Sequence, residues 1–355
     1  MLHQAPGFAI ERGDIFPGSG GSYHHDEARL QPPAVITGRK GMLGKVFFVE
    51  EPCWPHDTTL WVKDFKGNHP RFVAFFLDQF RLERFDAATS VPTLNRNNVV
   101  GIPIRVPSFS EQCAIATAIS DVDELLYGLD QLLAKKGDLK QAAMQQLITG
   151  QTRLPGFQGE WKVKPLKKIV ETPVTDGPHL TPNFLDDGIP FLSVNNLVAN
   201  KIDLGDLRFI SQQDHEVFSR KCKPQKGDIL LGKAASVGKV AIVELTSEFN
   251  IWSPIALIRV SDLHCARFVY YQLQSADLIG QITLFTNSSS QGNIGMGDIE
   301  KLSLMLPSYS EQSAIASVLT DMDAELAALE QRRDKIRDLK QAMMQELLTG
   351  RTRLV

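Results

Sequence analysis

Long apolar runs are missing from this 355-residue chain. No stretch of about 18 apolar residues occurs, so no membrane-spanning helix is expected. The start, Met1-Leu-His-Gln-Ala-Pro-Gly7, has neither the basic opening nor the apolar centre of a secretory signal. Cysteine is scarce: Cys53, Cys113, Cys222 and Cys265 form no CxxC pair. That excludes a disulfide framework and leaves free thiols in a reducing, cytoplasmic setting as the expectation. Charge of one sign is not in excess either. Lys and Arg number 38 against 41 Asp and Glu, a net charge of −3, so any attraction for nucleic acid has to be local. The eight histidines include the pair His24-His25, yet none stands with Cys or carboxylate at metal-ligand spacing, and no metal site is expected.

Catalytic signatures are absent as well. Gly232 and Gly238, followed by Lys239, suggest a phosphate-binding P-loop. However, five residues separate the glycines where four are needed, and Val240 stands where Ser or Thr should meet magnesium. An adenine methyltransferase would need a glycine-rich cofactor loop and an Asn/Asp-Pro-Pro-aromatic tetrapeptide, and Thr181-Pro-Asn-Phe184 is not that motif. No Ser/His/Asp arrangement is identifiable. The chain is therefore expected to carry no active site of its own.

What the chain does contain is a segment written twice, 200 residues apart. Residues 107–154 and 307–354 align without a gap, with 27 of 48 positions identical. Pro107-Ser-Phe-Ser-Glu-Gln112 returns as Pro307-Ser-Tyr-Ser-Glu-Gln312, and Asp138-Leu-Lys-Gln-Ala142 as Asp338-Leu-Lys-Gln-Ala342. A match this long at a constant offset marks a duplicated unit. The layout reads as a variable segment (1–106), a repeat (107–154), a variable segment (155–306) and a repeat (307–355). The linker Pro155-Gly-Phe-Gln-Gly159 marks the join. Such a pseudo-twofold chain suits a twofold partner such as duplex DNA.

Each repeat opens with a helix-start signal, Ser108 with Glu111 and Ser308 with Glu311, and closes on Thr-Gly, where glycine can take the left-handed terminal position. Between them runs a heptad seam: Ile115, Ile119, Val122, Leu126, Leu129 and Leu133, then Lys136 and Lys140, then Ala143 and Leu147. In the second copy it is Ile315, Leu319, Met322, Leu326 and Leu329, then Arg333, Ile336 and Lys340, then Met343 and Leu347. Each helix should span about 37 residues, or about 55 Å. A helix of that length with so narrow a seam needs a partner. The economical partner is the other copy, packed antiparallel; two unrelated helical hairpins or a homodimeric coiled coil are the alternatives. The most closely repeated stretch includes Leu139, Lys140, Gln141 and Met144, with Leu339, Lys340, Gln341 and Met344. Intramolecular packing alone should not demand polar identity there, so an external partner bound once per copy is expected on these residues.

In the second variable segment, Ile229–Leu231, Val240–Val243 and Ile255–Val260 read as strands and Arg267–Gln274 as a helix. Gly38-Arg-Lys-Gly-Met-Leu-Gly-Lys-Val46 aligns with Gly232-Lys-Ala-Ala-Ser-Val-Gly-Lys-Val240, as a turn between two strands. A phosphate backbone could approach such a turn closely, which makes Arg39, Lys40, Lys45, Lys233, Ser236 and Lys239 candidate DNA contacts. A plain hairpin with solvated lysines is the alternative. The loop Asn287-Ser-Ser-Ser-Gln-Gly-Asn293 offers Asn287, Ser288, Ser289 and Gln291 for pairing with base edges, or it is simply a solvated loop.

On these residues the chain resembles the specificity (S) subunit of type I restriction-modification systems. The Pro-Ser-aromatic-Ser-Glu-Gln start and the Leu-Thr-Gly helix end look like that family's conserved region in both copies. Thr175-Asp-Gly-Pro-His-Leu-Thr-Pro182, Gly188-Ile-Pro-Phe-Leu-Ser-Val-Asn-Asn-Leu197, Lys226-Gly-Asp-Ile-Leu230 and Trp54-Pro-His-Asp-Thr-Thr-Leu-Trp61 resemble its target-recognition signatures. The resemblance implies an α+β fold of two mixed α/β target recognition domains separated by two long antiparallel helices forming a coiled coil. It implies that each domain reads one half of a split site in double-stranded DNA, with Asp176, Gly177 and His179 near the bases. It further implies docking of two methyltransferase (M) subunits and of restriction (R) subunits, which would use S-adenosylmethionine, ATP and Mg; this chain itself would hold no cofactor. In the first segment about 37 residues precede the lysine turn, against roughly 75 in the second. The front of the first domain is therefore expected to be missing or remodelled, as in a truncated or rearranged gene product. A scaffold that binds M subunits without reading both half-sites, and the recognition subunit of a type IIB-like enzyme, are the alternative functions.

Overall fold

Two helices of 40 residues, Phe109–Ile148 and Tyr309–Leu348, carry the two repeats. The computed structural model describes residues 28–40, 42–55, 58–86, 92–286 and 292–354 in full, and the backbone alone of residues 3–4, 9–13 and 287. The chain divides into two compact units, residues 1–133 with 328–355 and residues 134–327, so each boundary falls inside a long helix. Among the described residues no helix is long and apolar enough to cross a membrane.

Within the first unit, Ile115 and Ile119 of the first helix share a core with Met344, Leu347 and Leu348 of the second. Further along, Lys340 meets Asp123 at 2.6 Å and Arg333 meets Asp130 at 3.8 Å. Contacts climb one helix as they descend the other, so the pair is antiparallel. The second unit repeats the arrangement with the roles exchanged. Leu147 and Ile148 pack with Ile315 and Leu319, while Lys140 meets Asp323 at 2.5 Å and Lys136 meets Glu325 at 2.7 Å. Each fully buried isoleucine of the seam contributes roughly 1.5–3 kcal/mol of hydrophobic stabilisation. The basic residues that interrupt the apolar seams are seam residues themselves, neutralised by acids of the facing helix.

The repeated Glu-Gln pair is explained by local contacts. Ser108 Oγ accepts the Glu111 N–H and Ser308 Oγ the Glu311 N–H, both at 3.4 Å, as first-turn caps. Glu111 and Glu311 then reach across the helix pair. Glu111, nearly buried, takes a bidentate fork from Arg353, and Glu311 takes the same fork from Arg153 at 2.5 and 2.6 Å. Gln112 Oε1 accepts the His69 N–H at 2.8 Å, and Gln312 Oε1 accepts the Cys265 N–H at 3.0 Å. His69 and Cys265 are the N-caps of two equivalent helices, Pro70–Gln79 and Ala266–Gln272. The buried glutamines therefore anchor a domain helix in each unit. Each long helix ends on a left-handed glycine, Gly150 (φ 72°) or Gly350 (φ 71°).

Both variable segments contain one four-stranded antiparallel sheet of the same strand order. In the first it runs Val46–Val49, Ala34–Gly38, Thr59–Asp64, Ala9–Gly13; in the second, Val240–Ile242, Ile229–Gly232, Ile255–Ile258, Thr175–Asp176. In the second domain the outer strand places Asp176 opposite Ala256, and in the first it places Arg12 opposite Leu60. Of the two expectations for the front of the first domain, missing or remodelled, the strand Ala9–Gly13 speaks against the first. That outer strand stands where Thr175–Asp176 does. What differs is the connection that follows. In the second domain it carries a three-stranded sheet (Arg208–Ile210, Ile189–Leu192, Asn250–Ile251, the last contributed from further along the chain) and the helix Gln212–Ser219. In the first it comprises residues 14–33, of which 14–27 lie outside the described residues.

Candidate nucleic-acid interface

The lysine turn is closed by the same backbone hydrogen bonds in both domains. Gly38 N–H donates to Lys45 O at 3.1 Å and Gly44 N–H to Gly38 O at 3.1 Å; Gly232 N–H donates to Lys239 O at 2.7 Å and Gly238 N–H to Gly232 O at 2.9 Å. Both glycines of each turn are required. Gly44 and Gly238 are left-handed, at φ 75° and 87°. A Cβ on Gly38 would sit 2.0 Å from Met42 O, and one on Gly232 would sit 2.4 Å from Ser236 O. The turn presents Lys40 and Lys45 in the first domain and Lys239 in the second as exposed side chains, while Arg39 and Ser236 are half-buried.

Lys233 does not behave as its neighbours do. Its side chain is 16 % exposed, and its ammonium lies 3.0 Å from Asp176 Oδ2. Asp176 is fully buried and also takes Lys221 Nζ at 2.5 Å on Oδ1, with His179 Nε2 3.3 Å from Oδ2. Burial by itself raises the Asp176 carboxyl; the two lysine ammoniums outweigh it and hold the carboxyl below the ordinary carboxylate value. With no exposed surface, the Asp176 side chain offers no atom to a base edge in this conformation. It holds the lysines. Lys233, a candidate phosphate contact, is tied to this carboxylate.

Gly177 sits beside the cluster for a steric reason. A Cβ there would fall 1.7 Å from Ile251 O. His179 remains exposed. Lys221, in the basic run Arg220-Lys-Cys-Lys223, was not singled out by the sequence analysis, and its partner lies 45 residues away. Nearby, Arg208 stacks over Phe184 (4.8 Å) and Trp252 (5.9 Å). Ile294 N–H donates to Lys233 O at 3.0 Å, tying the chain just after the Asn/Ser/Gln loop to the same turn. The side chains of Asn287, Ser288, Ser289 and Gln291 lie outside the described residues. Among the described residues no group of three or more His, Cys, Asp or Glu could hold a metal ion.

On the helices, part of the polar identity at 138–145 and 338–345 has an intramolecular cause that the sequence reading did not expect. Lys140 and Lys340 are intramolecular ion pairs, and each also lies over an aromatic ring, Tyr271 at 6.0 Å and Phe75 at 5.6 Å. Met344 is buried in the first unit's core, and Met144 packs against the core of the second. What stays open to a partner is Leu139 (50 % exposed) and Leu339 (54 %), with Gln141 and Gln341 beside them.

Comparison with known proteins gives a consistent picture. A family model described as the type I restriction modification DNA specificity domain matches residues 11–134 and 158–338. Over 302 residues the chain is 22 % identical to the type I restriction enzyme MjaVIII specificity subunit of Methanocaldococcus jannaschii, covering 80 % of this chain and 70 % of that one. It is 21 % identical over 373 aligned positions to the EcoBI specificity subunit of Escherichia coli, covering 95 % and 78 %. Among solved structures, the S subunit of a type I restriction-modification system from M. genitalium matches with a TM-score of 0.66 at 16 % identity, over 96 % of this chain and 93 % of that one. That likeness establishes the fold: two recognition domains and long antiparallel helices.

Proposed function

Because the chain belongs to the type I restriction-modification DNA specificity family, we propose that it supplies the address for such a system, each recognition domain reading one half of a split duplex site. The observation that carries this reading is the duplicated turn. Two domains of different sequence close Gly38–Lys45 and Gly232–Lys239 with the same pair of backbone hydrogen bonds, each presenting exposed lysine at the same place. Such a shared element suits the sequence-independent phosphate backbone, while the divergent surfaces around it suit two different base sequences. On this reading the methyltransferase subunits dock on the open faces of the helices around Leu139, Gln141, Leu339 and Gln341. Those subunits bring S-adenosylmethionine, and restriction subunits bring ATP and Mg, so the chemistry resides in the partners.

The test is a methylome. The chain is co-expressed with a methyltransferase subunit from the same system in a host free of adenine methylation, and N6-methyladenine is mapped by single-molecule sequencing. A split motif with methylated adenine in both halves is the expected result. Methylation at a continuous, one-part motif, or none despite a co-purifying complex, would overturn the two-domain reading.

A further inference from the structure

The cluster around Asp176 is electrically unfinished. One fully buried carboxylate faces two ammoniums, Lys221 at 2.5 Å and Lys233 at 3.0 Å. No other carboxylate is ion-paired with either lysine among the described residues, so the node keeps a net positive charge. It also keeps hydrogen-bond donors. Each ammonium has three N–H groups. Lys221 gives two of them, to Asp176 Oδ1 and to Gly177 O at 3.2 Å, leaving one. Lys233, 3.0 Å from Asp176 Oδ2, spends at most one of its three on that oxygen, leaving at least two. The Lys221 side chain is half exposed, at 50 %, so an anion can reach it, whereas Asp176 is sealed beneath.

The surroundings are rigid. Gly177 lies flush against Ile251, where no Cβ fits. Lys233 N–H donates to Pro254 O at 2.8 Å, and Ser253 N–H donates to Pro178 O at 3.2 Å. An ammonium held by a buried carboxylate has given up its rotamer freedom before a ligand arrives, so less entropy is lost on binding. At the register of Asp176 the outer strand of the first domain carries Arg12 in place of a carboxylate.

We propose that Asp176, Lys221 and Lys233 form a preorganised phosphodiester site in the second domain, in which Lys221 contacts a DNA backbone phosphate and Asp176 positions it. The inference rests on the DNA-reading function proposed above. It assigns Lys221 to phosphate contact and Asp176 to positioning, neither of them to base readout.

The experiment uses the full chain with its methyltransferase partner and a duplex containing the methylome-derived site, titrated with KCl. Lys221→Ala should weaken the target and an unrelated duplex by the same factor, and should lower the slope of log K against log salt by about 0.9, the value of one phosphate contact. Lys221→Arg should restore the slope. A second measurement needs no variant to fold: neutral methylphosphonate linkages are placed one at a time through the duplex. One position in a single half-site should weaken the wild-type complex, and Lys221→Ala should show no further loss there. A wild-type slope retained by Lys221→Ala, or no sensitive position in the methylphosphonate scan, makes the node a structural ion cluster and refutes the proposal. Loss of preference for particular bases on Lys221→Ala makes it a base reader and refutes it too. A wild-type complex that binds no duplex removes the DNA-reading function itself, a separate failure.

Discussion

Gln312→Leu isolates the work done by the repeated Glu-Gln pair. Gln312 is 1 % exposed. Its Oε1 accepts the Cys265 N–H at 3.0 Å, and its Nε2 donates to Pro307 O at 2.9 Å. Leucine has similar bulk, so the cavity term is small and the loss is polar. Two hydrogen bonds of about 1 kcal/mol each disappear, and a carbonyl and a helix-capping N–H lose their partners at further cost, for a total of about 2–4 kcal/mol. With a urea slope of about 2 kcal/mol per molar, the midpoint should fall by about 1–2 M. Hydrogen exchange at the Cys265 amide should accelerate by the matching factor. Gln112→Leu should cost at least as much, because Gln112 makes three such bonds, from the His69 N–H and to Asn68 Oδ1 and Pro107 O. Gln312→Glu keeps the acceptor but sets a carboxylate against Pro307 O, which raises its folded pKa. Its cost should be absent below the unfolded value of about 4.3 and grow as pH rises until the folded value is passed. A midpoint shift under about 0.25 M for Gln312→Leu, at the same slope, would refute this account of why the glutamine recurs.

Gly177→Ala should destabilise the second unit by about 1–3 kcal/mol, since Ile251 O has to move; thermal melting reads this. Acid should weaken the fold in a defined window. Arg353, bonded to Glu111, holds that carboxyl below its ordinary value, and the two lysines do the same for Asp176 against its burial. Both folded values lie below the unfolded ones of about 4.3 and 3.9, so their contribution is complete at neutral pH and is lost as pH falls through the folded values; Asp176→Asn should flatten that acid limb in pH-dependent urea unfolding. Lys45→Ala with Lys239→Ala should lower the salt slope of duplex binding by about 1.8 while leaving the methylated motif unchanged, and a changed motif would remove the lysine turn from the phosphate contacts. Leu139→Glu with Leu339→Glu, both on exposed faces, should abolish co-purification of the methyltransferase subunit without loss of helical circular dichroism.

Much of the helical architecture was legible in the sequence. Ser108 and Gly150, with their copies, bracket helices that end within two residues of these signals, because capping is a local matter between neighbouring residues. The heptad seam named Ile115, Ile119, Ile315 and Leu319, all fully buried. The two lysine turns were legible for the same reason, since one left-handed glycine and one with no room for a Cβ recur at the same spacing. Polar roles were less legible. Lys140 and Lys340 looked like surface residues awaiting a partner because Asp323 and Asp123 are far away along the chain. The strand Ala9–Gly13 went unseen because five residues carry little periodicity and their pairing partner begins at Thr59.

The sequence by itself therefore determined what depends on neighbours in the chain: the duplication, the helix ends, the apolar seam, the glycine turns and, through its motifs, the family. Tertiary structure decided what depends on distant residues meeting. It buried Asp176, brought Lys221 to it across 45 residues, and turned the repeated Glu and Gln into a clasp and a cap. A charge's role follows from the counter-charge it meets and the water it loses, and only the folded chain sets those two quantities.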